Sequence, residues 1–450
     1  MFAGSVLASL LVFLFLSWPL ARFAGTGIPA SAQNVEQPPW RYSVSGDHLQ
    51  LLYHFDLMRD MLHGRIPWFQ DPYEFNEGLD EARHRPGSYF FPMSAVYSLL
   101  AETLGQAAGW NLVLWISVCF SAFFSWMWLR RFTADSAALC LGTAAILLSP
   151  FRWISLFGGS PAGIALMWLP LLAWGVDSAV RKATGWSGIW VGGTLLLLFW
   201  ADLQTFYLAV VFLPVFAAIS LLGHGPGAGV SWRKGFRVLP GILCFLAVIA
   251  VFYLWKKENM AGSAVGAGRS WAEVRLFSPS PAGFALGGAG ADDWIFVGIG
   301  ACAALSLAWL RLMWAAKGPP PDWRRTGLLI FLLAILGIAG CLAVGVHGPG
   351  QGSVLKFARD HLPYYAMIRQ PAKVMAVVPL WIGWLLAVGF SIRADGQRTS
   401  NLIIRGLALA GLLAMAVEVG SSYSATICLL EPNQGAYERV AQEAEADGAG

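Results

Sequence analysis

The side chains best suited to chemistry in this sequence are acids and arginines at the edges of long apolar stretches. Asp47 opens a run of mixed apolar and charged residues, Asp71 lies in Trp68-Phe69-Gln70-Asp71-Pro72-Tyr73, and Asp202 interrupts apolar sequence in Ala201-Asp202-Leu203. Arg85 and Tyr89 belong to Arg85-Pro86-Gly87-Ser88-Tyr89-Phe90-Phe91-Pro92, Arg152 follows Pro150, and Arg369 precedes Pro371. A held carboxylate can take a proton from a reacting group, and a guanidinium can bind phosphate through two parallel hydrogen bonds. Each of these residues also has a structural use. An aspartate at a helix start serves as an N-cap, Asp-Pro-Tyr is a common turn, and an arginine at a span end anchors the helix or snorkels to the interface. Asp202 would cost about 2.5 to 3.5 kcal/mol deep in lipid, so it must sit near water or protein, and Glu418 poses the same question.

Other groups carry less. His48, His54, His63 and His84 crowd the stretch that holds Asp47 and Asp71, but His54 and His63 lack the i, i+4 spacing of helical zinc ligands, and no metal site is expected. Gly225 to Gly229 and Gly348 to Gly352 lack the Gly-Lys-Ser or Gly-Lys-Thr of a nucleotide loop and read as flexible connections. Cys119, Cys140, Cys244, Cys302, Cys341 and Cys428 are scattered singly and read as small packing residues.

What must position the acids and arginines is a membrane bundle. Hydrophobic residues make up 57% of the 450 positions and charged residues 12%, too few charges for a water-soluble globule. The apolar blocks run to about 17 to 25 residues, which crosses the hydrocarbon core as a helix and excludes a transmembrane barrel. The net charge of +4 is dispersed, with no basic stretch interleaved with aromatics, so no nucleic-acid partner is expected. Blocks at residues 2–23, 109–129, 134–150, 161–179, 186–200, 203–222, 238–255, 294–313, 326–346, 371–391 and 403–423 predict an all-α polytopic protein of about eleven transmembrane helices. No Lys or Arg precedes the first block, and it ends well before Ala30-Ser31-Ala32, so it reads as an uncleaved span rather than a signal peptide. The spans carry almost no polar or charged group near mid-membrane, which disfavours a carrier, as does the lack of an internal repeat.

Every second connection is basic: Arg130-Arg131, Arg181-Lys182, Arg233-Lys234 with Arg237, Arg311 through Arg325, and Arg393 through Arg405. The positive-inside rule places these in the cytoplasm. Ser88 to Leu104 would reach about 26 Å as a helix, but it contains Pro92 and Glu102, and a crossing there would throw every later basic loop outside. It reads as an interfacial helix. The N-terminus then lies in the cytoplasm and the C-terminus outside, and the long outer segments are 24–108, 256–293 and 347–370. Residues 1–430 form the transmembrane domain, and the polar tail 431–450 reads as the opening of a soluble outer segment. Within the first outer segment, Asp47 starts an amphipathic helix that Gly64 and Pro67 stop, with Leu52, Phe55, Met58 and Leu62 on one face and Asp56, Asp60 and His63 on another.

The order of these features carries a resemblance. An apolar span, an outer Gly46-Asp47, a surface helix ending in Gly64-Arg65-Ile66-Pro67, the Trp68 to Tyr73 element and then Arg85 before Pro and aromatics resembles the GT-C superfamily of polyprenyl-phosphate-dependent glycosyltransferases. The bacterial branch near the YfhO-like and O-mannosyltransferase-like membrane proteins is the most similar. Leu148-Ser149-Pro150-Phe151-Arg152 with Gly158-Gly159-Ser160, Ala201 to Thr205, and Met367-Ile368-Arg369-Gln370-Pro371-Ala372-Lys373 fit the same pattern. The resemblance implies sugar transfer from a polyprenyl-phosphate donor to a glycan, lipid or protein hydroxyl at the outer face of the cell membrane. It makes Asp47 the base, Asp71 a second acid, and Arg85 the partner of the lipid phosphate, with Tyr89, Arg152, Asp202 and Arg369 as further substrate-binding residues. No cofactor is implied beyond the lipid-linked donor, and a divalent metal is left open. The rivals are a non-catalytic carrier or flippase-like protein and an envelope-assembly protein on the same scaffold.

The charge pattern makes a direct prediction. In a cysteine-free background on intact cells, single cysteines at Ser45 and Gly262 should react with a membrane-impermeant maleimide and one at Gln397 should not. Labelling of Gln397→Cys, or protection of both others, would overturn the orientation.

Overall fold

The computed structural model describes residues 2–31, 40–41, 47–72, 85–224, 236–259, 268–286, 290–316, 323–392, 398–422 and 425–430. His84, the Gly225 to Gly229 stretch and the tail 431–450 lie outside them. The chain begins with α1 (Phe2–Leu16), β1 (Gly27–Ser31) and β2 (Trp40–Arg41), and continues through α2 (His48–Leu62), β3 (Gln70–Asp71), β4 (Arg85–Pro86) and α3 (Met93–Leu104). A run of helices follows: α4 (Gln106–Leu129), α5 (Ser136–Leu147), α6 (Pro150–Phe157), α7 (Pro161–Ala165), α8 (Trp168–Lys182), α9 (Gly185–Ala201), α10 (Leu203–Val211) and α11 (Leu213–Leu222). The last part holds α12 (Leu239–Asn259), α13 (Trp271–Leu276), α14 (Gly283–Leu286), α15 (Ile299–Ala316), α16 (Trp323–Ala343), α17 (Pro349–His361), α18 (Val378–Ser391), α19 (Arg398–Ser422) and β5 (Ala425–Leu429).

Each predicted apolar block is a helix or a bent helix pair. By length and composition five stretches can cross a membrane alone: Gln106–Leu129, Pro161–Lys182, Ala291–Ala315, Trp323–Ala343 and Pro371–Ser391. Two bent pairs, α5 with α6 at 42° and α10 with α11 at 45°, raise the number to seven. Val6–Leu16, Gly185–Ala201, Leu239–Trp255 and Leu409–Gly420 are shorter apolar helices. The bends have a common cause in proline, which lacks an N–H and clashes with the preceding turn: Pro150 opens α6 and Pro214 sits in the first turn of α11.

Ser88 to Leu104 resolves into a turn and the 12-residue α3. At 1.5 Å per residue that is roughly 18 Å, too short to cross. Its inner face lies against α2 and α4, with the Phe55 ring centroid 5.1 Å from Tyr97 and 5.7 Å from Trp110, and Ser98 Oγ donating to the Phe55 carbonyl. On α2, burial pushes the Asp56 carboxyl above its ordinary range against the opposing pull of Arg59. The N- and C-terminal regions meet in a small sheet of order β1-β5-β2, in which β1 runs antiparallel to β5 from Gly27↔Leu429 to Ser31↔Ala425 and β2 runs parallel to it. The Gly348 to Gly352 stretch is not a free linker. It is wound into the start of α17 with Gly350, Gln351 and Gly352 at positive φ.

Three of the five basic connections have described contacts, through Arg131, Arg181 and Arg311. Arg131 and Arg181 each approach Asp177 to 3.9 Å, His224 Nε2 lies 2.7 Å from the same carboxylate, and Arg311 donates to the Gly389 and Ile392 carbonyls. Elsewhere the long connections interlock: Val346 N–H donates to Ser278 Oγ, and Arg269 N–H to the Ala366 carbonyl. Two charged residues are buried within the helices, Asp177 at the basic end of α8 and Arg152, 2% exposed, in α6. The cysteines also depart from expectation: Cys428 is buried, whereas Cys140, Cys244 and Cys302 are exposed.

Between helices, small residues permit close approach. A Cβ on Gly142 of α5 would lie 2.5 Å from the Gly383 carbonyl oxygen of α18. Gly142→Leu should therefore lower stability by about 1–3 kcal/mol, read as a fall in the thermal unfolding midpoint in detergent. Gly337→Leu, with nothing within 4 Å of its Cβ position, should not. Equal midpoints for the two variants would contradict this account of the α5–α18 contact.

Candidate active site

Lys373 is the centre on which the chemistry-bearing elements converge. It lies in the 3-10 turn Pro371–Ala376 that leads into α18 and is half-buried. Its Nζ is 3.4 Å from Ser160 Oγ, in the turn between α6 and α7, and 5.6 Å from the centroid of the Trp294 ring. The carboxylates of Asp202 and Asp47 act on this ammonium as opposite charges, and Arg369 acts on it as a like charge. Residues from the start of α2, the α6–α7 turn, the α9–α10 junction and the segment before α18 thus share one electrostatic neighbourhood.

Local structure explains how each arrives there. Gly159 adopts φ +71, and a Cβ at that position would lie 2.7 Å from the His48 backbone nitrogen, so glycine lets the α6–α7 turn press against the start of α2. His48 is buried, with its ring 6.0 Å from Trp110. Asp47 precedes it at φ −83 and ψ 7, is exposed, and makes no side-chain cap bond, so the N-cap use of this carboxylate is not realised. Asp202 does act as a cap: it is extended between α9 and α10, and its Oδ2 accepts from Thr205 N–H at 2.8 Å and from Thr205 Oγ1–H at 2.5 Å. Arg369 is part-exposed, its guanidinium 4.5 Å from the Phe277 ring centroid and 4.0 Å from Glu273 Oε1. Glu273 also receives a bond of 3.2 Å from Arg269.

The other predicted residues are placed differently. Asp71 is fully buried, with both carboxylate oxygens accepting from Tyr53 Oη–H at 2.8 and 3.0 Å. It pairs in strand register with Arg85, so two residues chosen on separate grounds stand opposite each other in β3 and β4. The Arg85 side chain lies outside the described residues. Tyr89, at φ +45 and buried, sits 5.4 Å from His54 and covers Gly87, which makes it a packing group under the loop rather than a displayed ring. This loop docks on the end of α9 through Ser88 Oγ, which donates to the Trp200 carbonyl at 2.7 Å, and through Phe69 stacked on Trp200. Arg152 is buried, and its guanidinium meets Ser121 of α4. Glu418 is a helix cap, accepting from Gly300 N–H at the start of α15. His63 lies 2.5 Å from Glu102 and His54 sits among aromatic rings; among the described residues no cluster of three or more metal-ligating side chains occurs.

Sequence reasoning quoted Lys373 within its motif but gave it no role. The available signal was a second cation four residues after Arg369, ahead of an apolar span, where one anchoring charge suffices.

No family model matches this sequence, and no curated protein matches it. In three dimensions the chain is similar to the arabinofuranosyltransferase AftD from mycobacteria, with a TM-score of 0.51 and 13% identity over 94% of this chain and 26% of AftD. It thus spans about a quarter of AftD's length. It is also similar to ArnT from Cupriavidus metallidurans, solved bound to undecaprenyl phosphate, with a TM-score of 0.46 and 10% identity over 93% of this chain and 76% of ArnT. At such identities the likeness is one of fold alone, and it agrees with the GT-C-like helical bundle that the sequence resemblance implies.

Proposed function

We propose that this chain transfers a sugar from a polyprenyl-phosphate donor to an acceptor hydroxyl at the outer face of the cell membrane. The observation that carries the reading is the shared neighbourhood of Asp47, Asp202, Lys373 and Arg369, two acids and two cations within a GT-C-like bundle. The alternation of basic connections along the sequence supports an outer position for the segments that carry Asp47 and Arg369 under the positive-inside rule.

The chemistry follows from the side chains. An acceptor alcohol is a poor nucleophile until its proton is removed, and Asp47 is exposed, ionisable and committed to no cap. The acceptor oxygen bonds to the anomeric carbon, its proton passes to Asp47, and the bond from that carbon to the phosphate oxygen breaks with its electron pair leaving on the phosphate. A single displacement of this kind inverts the anomeric centre. The departing phosphate needs cations rather than a proton, and Lys373 and Arg369 supply them, with Arg85 as a third candidate. Asp202, fixed by its two bonds to Thr205, holds the ammonium of Lys373 toward the site by charge. Asp71 and Tyr89 support the loop that carries Arg85 instead of meeting substrate. The buried Arg152 takes no part in this scheme.

Loss of the base should lower turnover more than it lowers the amount of protein. Asp47→Asn should slow consumption of lipid-linked sugar in isolated membranes by about 10²–10⁴-fold, and Lys373→Met by about 10²–10³-fold, with protein levels near wild type. Wild-type rates in Asp47→Asn would end its assignment as base, and wild-type rates in Lys373→Met would move the phosphate elsewhere.

A further inference from the structure

We infer that Arg152, with serines of α4 and α6, forms a separate binding site for a small inorganic anion of halide type inside the bundle. Arg152 is 2% exposed, and among the described residues it forms no ion pair with any carboxylate. Its Nη2 donates to Ser121 Oγ, while Nε and Nη1 have no hydrogen-bond partner. Ser155, one turn along α6, and Ser125, one turn along the same face of α4 as Ser121, are fully buried, and their hydroxyls are likewise unpartnered.

The balance of donors decides the ligand. A guanidinium offers five N–H groups and accepts none, and each serine hydroxyl adds one donor. A neutral water would relieve some of these bonds but leave the charge uncompensated, whereas a buried charge in a membrane span is ordinarily paired or functional. One anion accepts several of the donors and neutralises the cation together. A lipid phosphate cannot serve, because its chain would have to follow it to a side chain enclosed on all sides.

The test uses the full chain in detergent, with thermal unfolding followed as sodium chloride or sodium bromide replaces sodium gluconate at constant ionic strength. Wild type should gain stability saturably with both halides, and Arg152→Gln should lose that dependence. Ser121→Ala and Ser125→Ala, which keep the charge and remove one small donor each, should raise the half-saturating halide concentration by about tenfold. The bromide complex should show an anomalous scattering peak within hydrogen-bond distance of the Arg152 guanidinium. The proposal fails if wild type is no more stable in halide than in gluconate, if inorganic phosphate alone stabilises it, or if Arg152→Gln or both serine variants respond as wild type does. None of these readouts depends on sugar transfer.

Discussion

A cation that leaves water must find compensation in protein, and this requirement bears on the arrangement around Lys373. Lys373 sinks between Ser160 and the Trp294 ring just before α18 enters apolar surroundings. Hydrocarbon cannot solvate an ammonium, and the carboxylates of Asp202 and Asp47, from two other segments, act on it as opposite charges. The three charges come from elements far apart in sequence. Their grouping also places the exposed, uncapped carboxylate of Asp47 beside cations able to receive a phosphate, which is the combination that group transfer from a phosphate requires.

Rigid supports keep the arrangement in place. Asp202 is tied to Thr205 at a helix junction, Gly159 lets the α6–α7 turn touch the start of α2, and the Phe69–Trp200 stack anchors the first loop two residues from Asp202. Small residues such as Gly142 and Gly383 bring α5 and α18 into backbone contact, so the turn bearing Lys373 continues into one of the best-buried helices of the bundle. A site set on such elements loses little order when substrate departs, which suits catalysis by positioned charge.

Much of this was legible in the residues, for identifiable reasons. Apolar block length predicted helices at the observed places, because the backbone must satisfy its own hydrogen bonds in lipid and leaves a long, unmistakable pattern. The proline bend inside the 203–222 block, between α10 and α11, and the helix α6 beyond the 134–150 block leave no mark in block length, and single-helix length supports fewer crossings than block counting does. Asp47 was singled out at a helix start and by the family resemblance, Asp202 and Arg369 at the ends of apolar blocks, and all three act as charges on Lys373. Asp71 and Tyr89 were chosen in the same way and turned out to be buried supports, since a short motif does not reveal which way a side chain faces. Lys373 was overlooked and Arg152 taken for an end-of-span cation because burial by distant helices is a tertiary property that leaves no trace in local spacing.

The central claim is that the phosphate of the donor rests on Lys373 and Arg369 with Asp47 facing the anomeric carbon. The most direct measurement is a structure of the full chain with a non-hydrolysable polyprenyl-phosphate sugar. Phosphate density is expected within hydrogen-bond distance of Lys373 Nζ and the Arg369 guanidinium, with the Asp47 carboxylate on the opposite side of the sugar ring. A phosphate held by other residues, or an Asp47 carboxylate out of reach of the sugar, would contradict it.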